Sequence, residues 1–107
     1  MENNEDKFGP IRKGLLELVV LKIIKGKKVY AADILHKLNQ TEFATGDGTL
    51  YPLLSRLRRE GAVEYSWVES EAGPPRKYYR LTDKGKEQLD TLMKYWKNLD
   101  STINKLV

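Results

Sequence analysis

The chain has 107 residues, a formal net charge of +4, 40% hydrophobic and 32% charged residues, which is typical of one soluble, ordered domain. It has no cysteine, which excludes disulfides and thiol chemistry and suits a cytoplasmic protein. No apolar segment approaches the roughly 20 residues that cross a bilayer, and the acidic start MENNEDKFGP is unlike a secretory signal. Residues 11–80 carry 13 bases against 8 acids, an excess that alone favours nucleic-acid binding only slightly.

The first third of the chain predicts an arm followed by two helices. Residues 1–9 are expected to form an arm that is mobile or depends on a partner. Pro10 suits the first turn of a helix, and Gly26 suits its end. This helix is apolar on almost every side, which indicates burial in the core or against a second chain. A very short strand over residues 27–29 and a second helix over about residues 30–38 are predicted to follow.

The stretch from Gly48 to Gly61 is predicted to form a third helix with two contrasting faces. Four leucines make one apolar stripe for docking onto the core. A proline costs about 3 kcal/mol well inside a helix, so Pro52 places the helix start near Gly48. We interpret the opposite face as a nucleic-acid-binding surface, although most amphipathic helices only pack against a core. Its candidate DNA-binding residues are Thr49, Tyr51, Pro52, Ser55, Arg56 and Arg59.

A β-hairpin is predicted next. Apolar and polar residues alternate from Val63, which predicts a buried aromatic face that contains Tyr65 and Trp67. Residues 69–75 include Gly-Pro-Pro and are predicted to form the turn. On the returning strand, one of two adjacent tyrosines is expected to be buried and the other to donate to a phosphate; a solvated turn with ordinary aromatic pairs is the alternative. The candidate DNA-binding residues of the hairpin are Arg76, Lys77 and Tyr78.

The last helix is predicted to mediate homodimerisation. Thr82 is a natural N-cap, and apolar residues then recur with the 3.5-residue period of a coiled-coil seam. The alternative is that these apolar residues pack on the chain's own first helix. A helix about 36 Å long, however, overhangs a domain of roughly 80 residues. The predicted interface residues are Leu89, Leu92, Trp96, Leu99, Ile103 and Leu106.

Taken together, the elements predict a mainly α fold with a small β-hairpin. The predicted parts are an N-terminal arm (residues 1–9), a winged helix-turn-helix DNA-binding domain (residues 10–82) and a C-terminal dimerisation helix (residues 83–107). A protein-interaction adaptor with the same fold is the alternative function. The sequence has one histidine, His36, and neither a Gly-rich phosphate loop nor a nucleophile motif. We therefore predict no metal site, no cofactor and no enzymatic activity.

Two segments of the sequence resemble the PadR family of bacterial transcriptional regulators. They are TLYPLLSRLRREGAV (residues 49–63) and GPPRKYYRLTDKG (residues 73–85), and with the element order the resemblance covers about residues 10–107. Within the family, the sequence is similar to the short subfamily, whose members have a single C-terminal helix. The resemblance implies a homodimeric repressor that binds double-stranded DNA at a pseudo-palindromic operator and is released by a small hydrophobic or aromatic effector. The effector site that it implies contains Trp96, with Leu15 and Phe8.

Overall fold

The computed structural model describes residues 7–107, which form four helices and a three-stranded antiparallel sheet. The helices are α1 (Gly9–Ile24), α2 (Ala31–Asn39), α3 (Asp47–Arg59) and α4 (Asp83–Lys105), and the strands are β1 (Val29–Tyr30), β2 (Val63–Ser70) and β3 (Gly73–Leu81). The predicted fold class, mainly α with a winged-helix order, is confirmed. Most of the predicted N-terminal arm, residues 1–6, lies outside the described residues.

The core lies where α1, α2 and α3 meet the sheet and the first half of α4. One side of α1 is buried there, whereas its other apolar side chains are half-buried within the subunit or, at Ile11, exposed. The predicted burial of α1 on several sides is thus partial in the single chain. The largest fully buried side chains are Val20, Leu21, Ile24, Ile34, Leu38, Leu50, Leu54, Leu57 and Val63.

Glycine ends two of the helices as the sequence predicts. Gly26 follows α1 with φ +77° and Gly61 follows α3 with φ +82°. These left-handed conformations are unfavourable for residues that carry a Cβ.

Pro52 lies within α3, which begins at Asp47, one residue before the predicted start.

The sheet has the order β1-β3-β2, so β1 adds a third strand to the predicted hairpin. The predicted turn over residues 69–75 is wrong in part, because β3 already begins at Gly73. A register irregularity between Val68 and Ser70 accompanies the two prolines at the start of β3. Prolines lack an N–H for the strand ladder and are tolerated at such irregularities. The wing, defined here as the β2–β3 hairpin (residues 63–81), is therefore longer than expected.

The start of α4 is fixed to the end of α3. The Thr82 hydroxyl accepts the Gly85 N–H at 3.0 Å, which confirms the predicted N-cap, and it donates to the Gly61 carbonyl at 2.5 Å. Gly85 is buried against Ala62, and a Cβ at Gly85 would overlap the Ala62 carbonyl oxygen. Only glycine allows this close approach, so α4 leaves the core in a direction set by the α3 terminus.

Two predictions that rested on periodicity are wrong in detail. Trp67 is 60% exposed, because its ring contacts Tyr65 and Lys77 of the wing and not the core, whereas Tyr65 on the same face is half-buried. Leu89 is 2% exposed and packs in the core of its own subunit, so it has almost no surface to offer a partner. Leu92 is half-buried against the same core. The seam is exposed only from Trp96 onward.

Candidate nucleic-acid interface

A cleft of about 630 Å³ lies between α3, the start of α2 and the wing. Four of the nine candidate DNA-binding residues line it together: Tyr51, Ser55, Arg76 and Lys77. The first two lie one helical turn apart on α3, and the two cations lie on β3. The fold thus joins the hydroxyl-bearing face of α3 to the cations of the wing, although the sequence separates them by about 20 residues.

Arg76 is held at the rim of this cleft by Tyr30. Its Nη1 donates to the Tyr30 hydroxyl at 2.8 Å, and its guanidinium carbon lies 4.9 Å from the centre of the Tyr30 ring. A guanidinium has five N–H donors, so this exposed side chain retains donors for a phosphate. The role of Tyr30 was not predicted, because a contact across 46 residues leaves no local signal in the sequence.

Lys77 is held by aromatic rings of the wing. Its Nζ lies 4.5 Å from the centre of the Tyr65 ring and 5.4 Å from that of Trp67, within the range of cation–π attraction. The two rings contact each other edge to face, with centroids 6.2 Å apart. This arrangement limits the positions that the ammonium group reaches and keeps it beside the cleft. It also gives the exposed Trp67 a structural contact that alternation alone does not indicate.

The two adjacent tyrosines of β3 lie on opposite faces of the sheet, as predicted. Tyr79 is buried beside Tyr65, with ring centroids 5.9 Å apart, and burial raises the pKa of its hydroxyl. Tyr78 is half-buried against Tyr30 at 5.2 Å and does not line the cleft. The Lys28 ammonium lies 5.6 Å from the Tyr78 ring, which places another cation on that face.

The remaining candidates on α3 lie outside the cleft. Pro52 and Arg59 are exposed, and Thr49 lines a smaller groove between α1 and the start of α3. Arg56 donates from Nη2 to Glu17 at 2.7 Å and from Nη1 to Glu60 at 3.0 Å. The hydrogen bond to Glu17 is the main reason that the pKa of Arg56 is raised. Two of the five guanidinium N–H groups are thus bonded within the subunit, and the predicted direct role of Arg56 on DNA stays a prediction.

A second, apolar cleft of about 330 Å³ separates α1 from α4. It brings together two of the three predicted effector-site residues, Trp96 and Leu15, whereas Phe8 is 60% exposed and does not line it. Ile11 was not predicted to belong to this site, although it precedes Leu15 by one helical turn on the same face. The full lining is Pro10, Ile11, Gly14, Leu15, Leu18, Leu92, Tyr95, Trp96 and Leu99.

Other kinds of site find little support in the part of the chain that the structure describes. Across residues 7–107, no three His, Cys, Asp or Glu side chains are grouped to hold a metal ion. His36 forms a local contact with Gln40, with 3.3 Å between the His36 Nε2 and the Gln40 Nε2. None of the described helices is long and apolar enough to cross a membrane.

A third helix beside a two-stranded wing, with cations at their shared cleft, defines the winged-helix class of DNA-binding regulators. The profile of the transcriptional regulator PadR-like family matches residues 20–91 of the chain. The chain therefore belongs to the PadR-like family of transcriptional regulators, which confirms the resemblance seen in the sequence.

Solved structures of PadR-like regulators have the same fold. A PadR-like transcription factor from Bacteroides fragilis is 44% identical with a TM-score of 0.80, over 92% of this chain and 95% of that one. A PadR-like regulator from Bacillus cereus is 39% identical with a TM-score of 0.81, over 90% and 94% of the two chains.

Among protein sequences, an uncharacterized protein from Lysinibacillus sphaericus is 32% identical, over 88% of this chain and 89% of its own length.

Proposed function

We propose that the chain is a homodimeric, sequence-specific repressor that releases its operator when a small aromatic molecule binds. Membership of the PadR-like family makes it a transcriptional regulator. The observation that carries the finer proposal is the cleft shared by Tyr51 and Ser55 of α3 and Arg76 and Lys77 of the wing. A transcriptional regulator acts on chromosomal DNA, so the proposed location is the cytoplasm.

On duplex DNA, α3 is proposed to enter the major groove and the wing to follow the adjacent backbone. Tyr51 and Ser55 offer hydroxyl groups to base edges or phosphates, and Arg59 offers a guanidinium. Arg76 and Lys77 supply phosphate contacts that carry little sequence information. The first turn of α2 borders the same cleft, and its positive dipole end favours a phosphate there.

The distal half of α4 supports homodimerisation. Its apolar side chains from Trp96 to Leu106 are 38–73% exposed, and exposing several such side chains to water forfeits roughly 1.5–3 kcal/mol each. A second copy that supplies the same seam would bury them. Two subunits related by a two-fold axis would then present their α3 helices to successive major grooves, about 34 Å apart, on a pseudo-palindromic site.

The cleft between α1 and α4 is the proposed effector site. Its lining is mostly apolar, with the Tyr95 hydroxyl and the Trp96 indole N–H as polar groups. Trp96 belongs to both the cleft and the exposed seam, so a planar ligand would contact residues that also position the partner subunit. A ligand that prefers one arrangement of the subunits changes the distance between the α3 helices, and hence the affinity for DNA.

The DNA-binding part of the proposal is tested by the salt dependence of binding to a duplex selected from a random pool. If each subunit neutralises about four phosphates, the logarithm of the association constant falls against the logarithm of salt concentration with a slope of about −7. Fluorescence anisotropy of the labelled duplex measures this slope. A slope near zero on every duplex would contradict the proposal and favour the adaptor function.

The effector part is tested with proflavine, a planar aromatic cation, and two single-tryptophan variants. Trp67→Phe leaves Trp96 as the only indole, and Trp96→Ala leaves only Trp67. We expect saturable quenching of tryptophan fluorescence in Trp67→Phe and no saturable quenching in Trp96→Ala, because the exposed Trp67 lies on the wing. Equal quenching in the two variants would reject Trp96 as the effector site.

A further inference from the structure

Glu17 on α1 is the meeting point of three helices. One carboxylate oxygen accepts a hydrogen bond from Arg56 Nη2 of α3 at 2.7 Å, and the other accepts one from Gln88 Nε2 of α4. The sequence separations are 39 and 71 residues. The contact therefore links the helix of the DNA-facing cleft to the helix that carries the exposed seam.

The geometry leaves Arg56 little freedom. Its second terminal nitrogen donates to Glu60 at 3.0 Å, four residues further along α3. Charge-assisted hydrogen bonds to both ends of a planar guanidinium fix its orientation as well as its position. Each oxygen of Glu17 thus accepts one hydrogen bond and each terminal nitrogen of Arg56 donates one, which attaches this turn of α3 to α1 through Glu17.

This arrangement lies between the two clefts. Ser55, which lines the DNA-facing cleft, precedes Arg56 in sequence. Leu15 and Leu18 line the apolar cleft on either side of Glu17 in α1, and Leu92 of that cleft lies one helical turn after Gln88. A movement of α4 relative to α1 therefore changes the Gln88–Glu17 contact directly.

Folding stability is a poor explanation for the hydrogen bonds that join Arg56, Glu17 and Gln88. The Arg56 side chain is 43% exposed and that of Glu17 23% exposed, and ion pairs that reach solvent add little to folding stability. Their geometric effect remains, because the carboxylate determines where α3 lies relative to α1 and α4.

We propose that Glu17 is a positioning residue for DNA recognition, holding α3 through Arg56 and α4 through Gln88 so that the two helices move together. The inference rests on the proposed DNA binding, and it makes Arg56 part of the support for the reading surface rather than a group that contacts DNA. Movements at the apolar cleft reach α3 through this carboxylate.

The test compares Glu17→Gln with a matched control, Glu64→Gln. Glu64 pairs with Arg80 on the wing at 2.8 Å and bonds to neither α3 nor α4. Glu64→Gln therefore removes a carboxylate–arginine ion pair, as Glu17→Gln does, without affecting either helix. In the free protein, hydrogen–deuterium exchange of the α3 amides is expected to be faster in Glu17→Gln and unchanged in Glu64→Gln. Unchanged α3 exchange in Glu17→Gln would overturn the proposal, and this readout needs no DNA.

On the selected duplex, Glu17→Gln is expected to lower the affinity about tenfold with an unchanged salt slope, since it removes a charge-assisted hydrogen bond and no phosphate contact. Arg56→Gln is expected to have a similar effect, and the double variant to lose no more than either single one. Tighter binding by Glu17→Gln, or a slope reduced by about 1 in Arg56→Gln, would show that Arg56 contacts phosphate and would overturn the proposal. Failure of the wild-type chain to bind any duplex would instead count against the proposed function.

Discussion

Replacing Ser55 with glutamate is expected to lower the affinity for the selected duplex by about 100-fold or more. Ser55 is exposed and lines the same cleft as Arg76 and Lys77. A carboxylate there repels the phosphates that the wing cations attract, and like charges brought together in an interface cost several kcal/mol. It also attracts both cations away from the DNA backbone. Fluorescence anisotropy at fixed salt measures the loss.

The matched control for this variant is Ser101→Glu, which makes the same chemical change at an exposed position on α4. Because Ser101 lies on a different helix from the cleft, only a small, salt-dependent decrease from the added negative charge is expected. If the two variants bind DNA equally well, the cleft between α3 and the wing is not the DNA-binding surface. Circular dichroism checks that both variants are folded.

Replacing Ile103 with glutamate is expected to separate the subunits. Ile103 is 67% exposed in the single chain and lies on the apolar seam of α4. Burying an isoleucine contributes roughly 1.5–3 kcal/mol, and a two-fold axis doubles the loss and brings two carboxylates towards each other. We expect the dimer dissociation constant to rise by about 100-fold or more, as measured by sedimentation equilibrium.

DNA binding by Ile103→Glu separates the contribution of one subunit from that of the pair. The DNA-facing cleft lies outside α4, so binding to one half-site is expected to remain while the affinity for the full site falls. Ser101→Glu again serves as the control. Ser101 is two residues before Ile103, so the two side chains point about 200° apart around the helix axis and Ser101 lies away from the seam. A fully dimeric Ile103→Glu would show that the subunits associate through another surface.

The parts of the fold that the sequence predicted are those with strong local signals. Helix α3 has a leucine stripe, a proline near its start and a glycine just after its end, and all three agree on one segment. The N-cap at Thr82 is equally local, since its partner is the Gly85 N–H three residues away. Ser55 and Arg76 were expected to lie near each other because the winged-helix order of elements brings α3 beside the hairpin. No spacing between the two residues in the sequence indicates this.

The parts that the sequence did not predict depend on distant contacts. A helical projection places Arg56 on the outer face of α3, but it does not show that a carboxylate 39 residues away binds its guanidinium. Leu89 fits the coiled-coil period, yet α4 starts against Ala62 and its first turns pack on the core. Trp67 fits a buried alternation, yet its ring contacts Tyr65 and Lys77 of the wing and does not join the core. Periodicity identifies an apolar face, but the neighbouring elements decide what covers that face.

In the proposed function, two copies of α3 bind one duplex at a fixed distance. Hydroxyl-radical footprinting of the wild-type protein on the selected duplex tests this most directly. We expect two symmetric protected regions whose centres are one helical turn, about 10–10.5 base pairs, or a multiple of it apart, and we expect Ile103→Glu to lose that paired pattern. A single protected region with the wild-type protein, with no symmetric partner, would contradict the account.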